Sequence, residues 1–415
     1  MSAQSELSLS LSLSNLLRPE VRANPYPFYH ELRSVDPVHW DEAMGFWALT
    51  RFADVMSVFH DPRFSRAQGL MAGMNRLPEA ERERARPVYD SFSKTIAYSD
   101  PPYHTRLRGL TNKAFTPRAV EQMRPRIQHI VDELLDAVQT AGRGRMDVIR
   151  DLAQPLPLIV IAEMLGLPTE ERARFKQWSD DQFAVLGVVR RAPGLMEKAA
   201  QSLTELTDYV TTLSEQRRQS PSPDLLSALV AAEEEGHHLT RAELVANVAQ
   251  ILAAGHETTT NLIGNGVLAL LRHPDQMQKL RDDPALITSA VEEIMRYDNP
   301  VQVVYRSAAE EVELGGKRIG QGQLVNLVLG AANRDPAQFE APDRFDLSRR
   351  ESKHVGLGLG IHFCLGAPLA RLEGQMAITS LLRRMPSLRL DADVDVLEWQ
   401  ESPTFRGLKA LPVAF

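Results

Sequence analysis

Apolar residues recur along most of the chain at the spacing of one helix face, and this pattern predicts a mainly helical protein. Residues 117–139 follow it, and so does a second group over 169–218. The longest predicted helix begins at Thr240, which forms a capping box with Glu243, and runs to Leu271 before a His-Pro pair. Its middle is apolar or small on nearly every side, so we expect this helix to be buried.

The pattern changes in the C-terminal half. Another helix is predicted from Pro284 to just before Asn299-Pro300, because the residue preceding a proline disfavours helical geometry. Short apolar and β-branched runs follow, with a hairpin signal at Gly315-Gly316. The expected fold class is therefore mainly α with a small β region in this half. The predicted strands cover 303–305, 312–314, 317–319 and 324–329.

Composition narrows the class of protein. The 415 residues are 43% hydrophobic and 24% charged, which suits one large globular domain or two to three smaller ones. A net charge of −7 argues against nucleic acid as a partner. No apolar run is long enough for a membrane span, and the Ser-Leu start lacks the features of a signal peptide. We expect a cytoplasmic protein without membrane insertion, in which residues 1–20 form a flexible tail.

The one cysteine of the chain, Cys364, lies in a glycine-dense segment, V-G-L-G-L-G-I-H-F-C-L-G at 355–366. Dinucleotide-binding and P-loop interpretations fail because neither motif is complete. From the residues alone, a buried structural cysteine and a nucleophile paired with His362 both stay open. The glycines would let the backbone pass close to a flat ligand, and Pro368 predicts that a helix begins directly after the loop. A helix N-terminus favours the thiolate, the form in which cysteine ligates haem iron.

The stretch G-L-G-I-H-F-C-L-G resembles the haem-binding signature of the cytochrome P-450 family, F-G-x-G-x-[HR]-x-C-x-G. Leu357 departs from it, since the family has phenylalanine there, and we expect haem to bind all the same. The resemblance implies one large, mostly α P-450 domain over residues 21–415, with haem b as cofactor and Cys364 as the iron ligand. The matching positions are Gly358, Gly360, His362, Cys364 and Gly366, and all but Gly360 are expected to contact the cofactor.

A second motif lies in the longest predicted helix, where A-G-H-E-T-T at 254–259 resembles the oxygen-activation motif of the same family. Ala254 and Gly255 would let haem and dioxygen approach the helix backbone. Glu257 and Thr258 would form an acid–alcohol pair that relays protons, which makes them the predicted catalytic residues. A zinc-protease interpretation fails because the H-E pair is not followed by a second histidine.

Further landmarks of the family appear in order along the chain. Glu293 and Arg296 form E-x-x-R, and the resemblance implies that Arg344, in P-D-R-F, completes a structural network behind the cysteine loop. Haem propionates are anions that need cationic partners. The residues that match the family's propionate contacts are His104, Arg108, Arg306 and His362.

The resemblance implies a bacterial haem-thiolate monooxygenase that uses O2 to hydroxylate or epoxidise a hydrophobic small molecule. No flavin or nicotinamide module fits in this length, so electrons derived from NAD(P)H would arrive through a ferredoxin and its reductase. A monomer is expected. Two alternatives stay open: a haem-thiolate enzyme of another reaction type, such as oxidative coupling or isomerisation, and a haem sensor without catalysis.

Family analogy places the substrate contacts in segments 66–99, 180–196, 248–254, 301–304 and 403–405. Their side chains are largely apolar, which favours a terpenoid, steroid, fatty acid or polyketide as substrate. The candidate contacts are Leu70, Met71, Met74, Phe183, Val185, Leu186, Val301, Val303 and Phe405.

Overall fold

The computed structural model of this chain describes residues 11–185, 194–234, 237–349 and 353–415. Within them the protein is mainly helical, as the hydrophobic periodicity predicts. The helices are α1 Pro19–Ala23, α2 Tyr26–Val35, α3 Phe52–His60, α4 Arg66–Asn75, α5 Glu79–Phe92, α6 Tyr103–Ala114, α7 Pro117–Gln122, α8 Arg124–Thr140, α9 Pro155–Leu165, α10 Arg172–Ala184, α11 Leu195–Gln219, α12 Leu225–Ala231, α13 Arg241–Arg272, α14 Pro274–Asp282, α15 Ile287–Tyr297, α16 Leu329–Ala332 and α17 Ala367–Arg384.

Strands come from both halves of the chain, so the β region is not confined to the C-terminal half. The main sheet has the order β1-β2-β10-β7-β3, in which β10 runs parallel to β2 and antiparallel to β7. The sequence analysis did not predict its first two strands. Each has only four residues, and β2 is buried at every position, so no alternation of apolar and polar residues marks it. The strands are β1 Val38–Asp41, β2 Phe46–Leu49, β3 Phe64–Ser65, β4 Arg145–Asp147, β5 Glu233–Glu234, β6 His237–His238, β7 Val303–Ala308, β8 Val312–Leu314, β9 Lys317–Ile319, β10 Leu324–Val328, β11 Arg389–Leu390 and β12 Pro412–Ala414.

The long helix α13 forms as predicted. The Thr240 side chain accepts a hydrogen bond from the Glu243 amide, and the Glu243 carboxylate accepts one from the Thr240 amide at 2.8 Å. The helix extends over 32 residues, about 48 Å at 1.5 Å per residue. Most of its residues are buried, and α9, α10, α11, α15 and α17 pack around it within the largest hydrophobic cluster. This helix is therefore the central element of the fold.

A proline breaks one predicted helix, and the start of another differs in detail. The segment 117–139 forms α7 and α8 rather than one helix, because Pro125 falls in the first turn of α8 and has no N–H for the preceding helix. The helix expected from Pro284 starts as a short 3₁₀ turn, and α15 then ends at Tyr297, before Asn299-Pro300 as predicted.

The N-terminal segment differs from the expected flexible tail. Residues 1–10 lie outside the described residues, but Leu13–Leu17 form a 3₁₀ helix in which Leu13 and Leu16 are buried. The buried carboxylate of Asp41 accepts hydrogen bonds from the Ser12 hydroxyl and the Leu13 amide. The fold therefore begins before residue 20. No helix of the described part is long and apolar enough to cross a membrane.

Candidate active site

The cysteine loop, residues 355–366, directly precedes α17. The Cys364 amide donates to the Leu357 carbonyl at 2.9 Å, and α17 begins directly afterwards, with Pro368 in its first turn as predicted. Gly358 and Gly360 have φ values of +69° and +66°, which an L side chain rarely adopts. A Cβ at Gly360 would also lie 2.9 Å from the Phe59 carbonyl oxygen. These two glycines are required by the turn itself.

Two opposing effects act on the Cys364 sulfur. Burial raises the pKa of the Cys364 thiol, whereas the amides of Gly366 and Ala367 and the charges of Arg108 and Arg371 lower it. The sequence predicts that the helix N-terminus favours the thiolate. The amides do contribute in that direction, but the effect of burial is larger.

Cys364 lies in the wall of a cavity of about 310 Å³ between the cysteine loop and α13. Ala254, Gly255 and Thr258 line the same cavity from α13, while Gly358, His362 and Gly366 line it from the loop. The structure thus brings together two motifs that are about one hundred residues apart in the sequence. The space between them is bordered mainly by apolar groups.

A cluster of cationic and imidazole side chains borders one part of this cavity. Arg108, Arg306 and His362 line it, and the His104 ring packs 4.4 Å from the His362 ring. His104 is buried, and neither of its ring nitrogens has a hydrogen-bond partner. Burial lowers the pKa of His362 to about 2, and the nearby arginines contribute to this. The four propionate candidates from the sequence are therefore together in space.

Arg66 belongs to the same cluster, although the sequence does not single it out. Its guanidinium donates to the carbonyls of Ala97 and Tyr305 and lies 4.5 Å from the ring centre of Tyr98. Burial and the charge of Arg66 lower the pKa of the buried Arg306, and Asp100 offsets this only in part. No local spacing relates Arg66 to the other cations, so the sequence alone could not predict its place in the cluster.

This donor set fits an anionic, planar ligand. Orphaned imidazole nitrogens and mutually repelling arginines are costly in a buried site unless an anion binds there. The glycines of the loop leave room for a flat group beside the sulfur. Haem, with two propionates and an iron atom that accepts a thiolate, has these properties. In the described part of the chain, no group of three or more metal-ligating side chains comes together, so Cys364 is a lone candidate ligand.

The two predicted catalytic residues take different positions. The Thr258 hydroxyl lines the cavity and donates to the Ala254 carbonyl at 2.8 Å. Glu257 is not among the residues lining the cavity and lies near His256, Asp180 and Lys176, on the side of α10. Burial raises the pKa of Glu257, and Asp180 adds to this while His256 and Lys176 oppose it. The acid and the alcohol are sequence neighbours that face different surroundings.

The E-x-x-R network forms, but with a different third arginine. The fully buried Arg296 makes two hydrogen bonds to the buried Glu293, at 2.8 and 2.9 Å. Arg344, predicted to complete the network, contributes only its backbone carbonyl, and its exposed guanidinium pairs with Asp346. Arg349 takes its place, with Nε 3.2 Å from Glu293. The prediction of Arg344 was wrong because Arg349, five residues on, reaches the buried carboxylate instead.

This network reaches the cysteine loop through Asn333. Arg296 donates to the Asn333 carbonyl at 3.0 Å, and the Asn333 side chain accepts from the Val355 amide at 2.8 Å. A second link joins α15 to α17, where Arg371 donates to Glu292 at 2.6 Å. Burial opposes ionisation of Glu292, yet hydrogen bonds from Arg371 and His354 lower its pKa to about 2. Both links hold the loop that presents Cys364.

The candidate substrate contacts are only partly at the cavity. Val301 lines it, and Ile96, Ala97, Gln250 and Ile251 do so from two of the predicted segments. The other candidates whose side chains are described lie outside its wall; several of them pack in neighbouring hydrophobic clusters. The Phe183 side chain and Leu186 lie outside the described residues. The candidates away from the cavity wall are Leu70, Met71, Met74, Val185, Val303 and Phe405.

Comparisons with known proteins identify the class. Residues 74–403 match the family model described as Cytochrome P450. Cytochrome P450 107B1 of Saccharopolyspora erythraea is 46% identical over 373 residues, covering 88% of each chain. Vitamin D(3) 25-hydroxylase of Pseudonocardia autotrophica is 44% identical over 396 residues, covering 94% of this chain and 93% of the relative. This chain belongs to the cytochrome P450 family.

A solved structure confirms the fold. P450BioI in complex with an acyl carrier protein ligated with hexadec-9Z-enoic acid superposes with a TM-score of 0.88 at 38% identity, over 96% of this chain and 99% of that one. The protein is thus a P450 monooxygenase of the bacterial type with the mainly helical, single-domain fold of its family and small sheets. The family is haem-thiolate, which implies haem as its cofactor.

Proposed function

We propose that this P450 uses O2 to hydroxylate or epoxidise a hydrophobic small molecule, of the terpenoid, steroid, fatty acid or polyketide class, in the cavity between α13 and the cysteine loop. The observation that carries the proposal is the meeting of Cys364 and Thr258 at one largely apolar cavity. Two relatives that are similar over nearly the whole chain support a hydrophobic substrate: a vitamin D(3) 25-hydroxylase, and P450BioI, solved in complex with an acyl carrier protein ligated with hexadec-9Z-enoic acid.

Haem b would be held by Cys364 and by the cation cluster. The propionates would neutralise Arg108 and Arg306 and give the unpartnered His104 nitrogens and the adjacent His362 ring an anion to contact, with Arg66 contributing to the same charge balance. Gly358 and Gly366, and Ala254 and Gly255 on α13, would leave room for the ring. When bound, the thiolate-ligated iron supplies the oxygen-activating chemistry.

Two residues of α13, Glu257 and Thr258, would deliver protons to the reaction. Thr258 presents its hydroxyl to the cavity while its proton is held by the Ala254 carbonyl. Glu257, whose raised pKa makes protonation easier, would take protons from the His256 and Asp180 side and pass them toward Thr258. The apolar cavity wall would keep bulk water away from the reacting groups.

Electrons derived from NAD(P)H would come from separate proteins, a ferredoxin and its reductase. The chain has a single cysteine, which cannot hold an iron–sulfur cluster. One P450 fold covers nearly all of the chain, and the described residues contain no flavin module.

The test is spectroscopic and catalytic. The carbon monoxide complex of the reduced protein should show the absorption typical of thiolate-ligated haem, and Cys364→Ser should lose it along with more than about 99% of monooxygenase activity. Activity is measured as oxygenated product from a hydrophobic substrate library, with a surrogate ferredoxin, reductase and NADPH. Unchanged spectra in Cys364→Ser, or no product from any substrate, would contradict the proposal.

A further inference from the structure

Arg66, the first residue of α4, contacts two separate parts of the protein. Its Nε atom donates to the Ala97 carbonyl at 2.9 Å, and its Nη1 atom donates to the Tyr305 carbonyl of β7 at 2.8 Å. The guanidinium also lies 4.5 Å from the ring centre of Tyr98 and 4.7 Å from that of Tyr305. A planar group that is held by two hydrogen bonds and two aromatic rings has a fixed orientation.

The third nitrogen of this guanidinium, Nη2, is left without a protein partner. Within the described residues it makes no hydrogen bond, and it is not enclosed by the surrounding protein. Arg66 lines the cavity, together with Cys364, Arg306 and His362. A fixed N–H donor of a charged group at an accessible cavity wall is a binding position for an anion.

The charges around Nη2 indicate which anion this is. The guanidinium groups of Arg66, Arg108 and Arg306 all border the cavity. Asp100 is the carboxylate that opposes the effect of Arg66 on Arg306, so two of the three positive charges stay unmatched. The two propionates of haem equal that excess, which leaves no cation of the cluster for an anionic substrate.

The Ala97 carbonyl that Arg66 binds belongs to a 3₁₀ turn, Ile96–Tyr98, which we call the 96–98 turn. Its first two residues, Ile96 and Ala97, line the same cavity. At one end the turn is tied to α13, because the Ile96 amide donates to the Asn247 side chain at 3.1 Å. Arg66 therefore connects the 96–98 turn to the cation cluster.

Resting on the proposed function, we propose that Arg66 is a positioning residue, which binds a haem propionate through Nη2 and holds the 96–98 turn through Nε. Arg66 keeps the orientation in which it meets the Ala97 carbonyl because its remaining donor is held by the propionate. This part of the cavity wall is thus completed only when the cofactor is bound. Arg66 does not touch the substrate and acts on it through the turn.

The first measurement is hydrogen–deuterium exchange of residues 94–100 in haem-loaded protein. Arg66→Lys keeps the positive charge but loses the planar fork that serves two carbonyls and an anion at once. We expect these amides to exchange about tenfold faster in Arg66→Lys than in the unaltered protein. Arg63→Lys is the matched control, because the Arg63 side chain is 46% exposed and pairs with Asp61, and it should leave the exchange unchanged.

The second measurement tests the propionate contact. Haem dimethyl ester keeps the ring and the iron but has no carboxylates, so residues 94–100 should exchange about tenfold faster in ester-loaded unaltered protein. If both changes break one link, Arg66→Lys should add less than about twofold to the effect of the ester. The propionate bending mode, measured by resonance Raman spectroscopy on haem-loaded protein, should shift in Arg66→Lys and not in Arg63→Lys.

Unchanged exchange in Arg66→Lys would overturn the inference, as would an unchanged propionate mode. Effects of the substitution and the ester that simply add would also overturn it, because they would assign Arg66 a structural role independent of the propionates. If the ester does not enter the protein, the exchange and the propionate mode of Arg66→Lys decide the matter.

These outcomes leave the proposed function intact as long as the unaltered protein shows the thiolate-haem spectrum and oxygenates some hydrophobic substrate. Loss of that spectrum or of all turnover in the unaltered protein is the separate result that defeats the proposed function.

Discussion

Individual residues of the site divide into those satisfied by the protein and those that are not. Thr258 and Arg306 each donate to a backbone carbonyl, whereas His104 has no partner for either nitrogen. An interior side chain that lacks a partner within the protein lowers the stability of the free protein and raises the affinity for a ligand that supplies one. This distinction yields different predictions for the two kinds of residue.

Replacing His104 should speed the loss of haem without lowering the stability of the haem-free protein. In His104→Phe the ring packing on His362 is kept, and two unsatisfied nitrogens are removed. We expect haem to be lost about tenfold faster, measured by transfer to an acceptor globin. The melting temperature of the haem-free protein should stay equal or rise.

The control is His129→Phe, since His129 is exposed on α8 and pairs with Glu133 rather than with the cation cluster. It should leave the rate of haem loss unchanged. A lower melting temperature of haem-free His104→Phe, with unchanged haem loss, would assign His104 a purely structural role.

Replacing Thr258 tests the proton relay. Thr258→Ala removes the hydroxyl at the cavity, so NADPH consumption should continue while product per NADPH falls roughly tenfold or more. Thr258→Ser retains the hydroxyl and should keep most of the coupling. Product and hydrogen peroxide are quantified against NADPH consumed, and full coupling in Thr258→Ala would refute the assignment.

At the scale of elements, short motifs within one segment were predictable and contacts between segments were not. The capping box of α13, the start of α17 and the glycine turn before Cys364 depend on neighbouring residues, and the structure confirms them. Arg66 and Arg349 act through tertiary contacts that no local spacing encodes. The resemblance to a family pointed to His104 and Arg306, and because a family pattern carries tertiary information these residues do lie close together, with Arg306 in the cavity wall and His104 packed on His362.

The assignment of Arg349 to the network between α15 and the cysteine loop can be tested by measuring the free energy of unfolding. Arg349→Ala leaves the buried Glu293 with one arginine fewer, which should lower the free energy of unfolding by about 1–3 kcal/mol. Arg344→Ala removes an exposed pair with Asp346 and should cost less than about 0.5 kcal/mol. Thermal unfolding of both haem-loaded variants gives the comparison, and a larger effect of Arg344→Ala would restore the original prediction.

At the scale of the whole molecule, residues 11–17 belong to the folded body of the protein, although the sequence pattern predicted a flexible tail there. The Ser-Leu alternation at the N-terminus gives no helical period, so a sequence reading treats it as a tail. In the fold, Leu13 and Leu16 pack against α2 and the main sheet, and the Asp41 carboxylate accepts hydrogen bonds from Ser12 and Leu13. The sequence of such a short segment does not show that it is structural, because the residues it packs against are distant in the sequence.

Leu16→Ala provides the measure of this packing. Leu16 is 4% exposed within a cluster that contains Tyr29 and Leu32 of α2, so its truncation should cost about 2–4 kcal/mol and lower the melting temperature. Val35→Ala, at a position that is 64% exposed at the end of the same helix, should change stability by less than about 0.5 kcal/mol. If the segment were a tail, both substitutions would be neutral, and equal melting temperatures for the two variants would show that residues 11–17 do not contribute to the folded body.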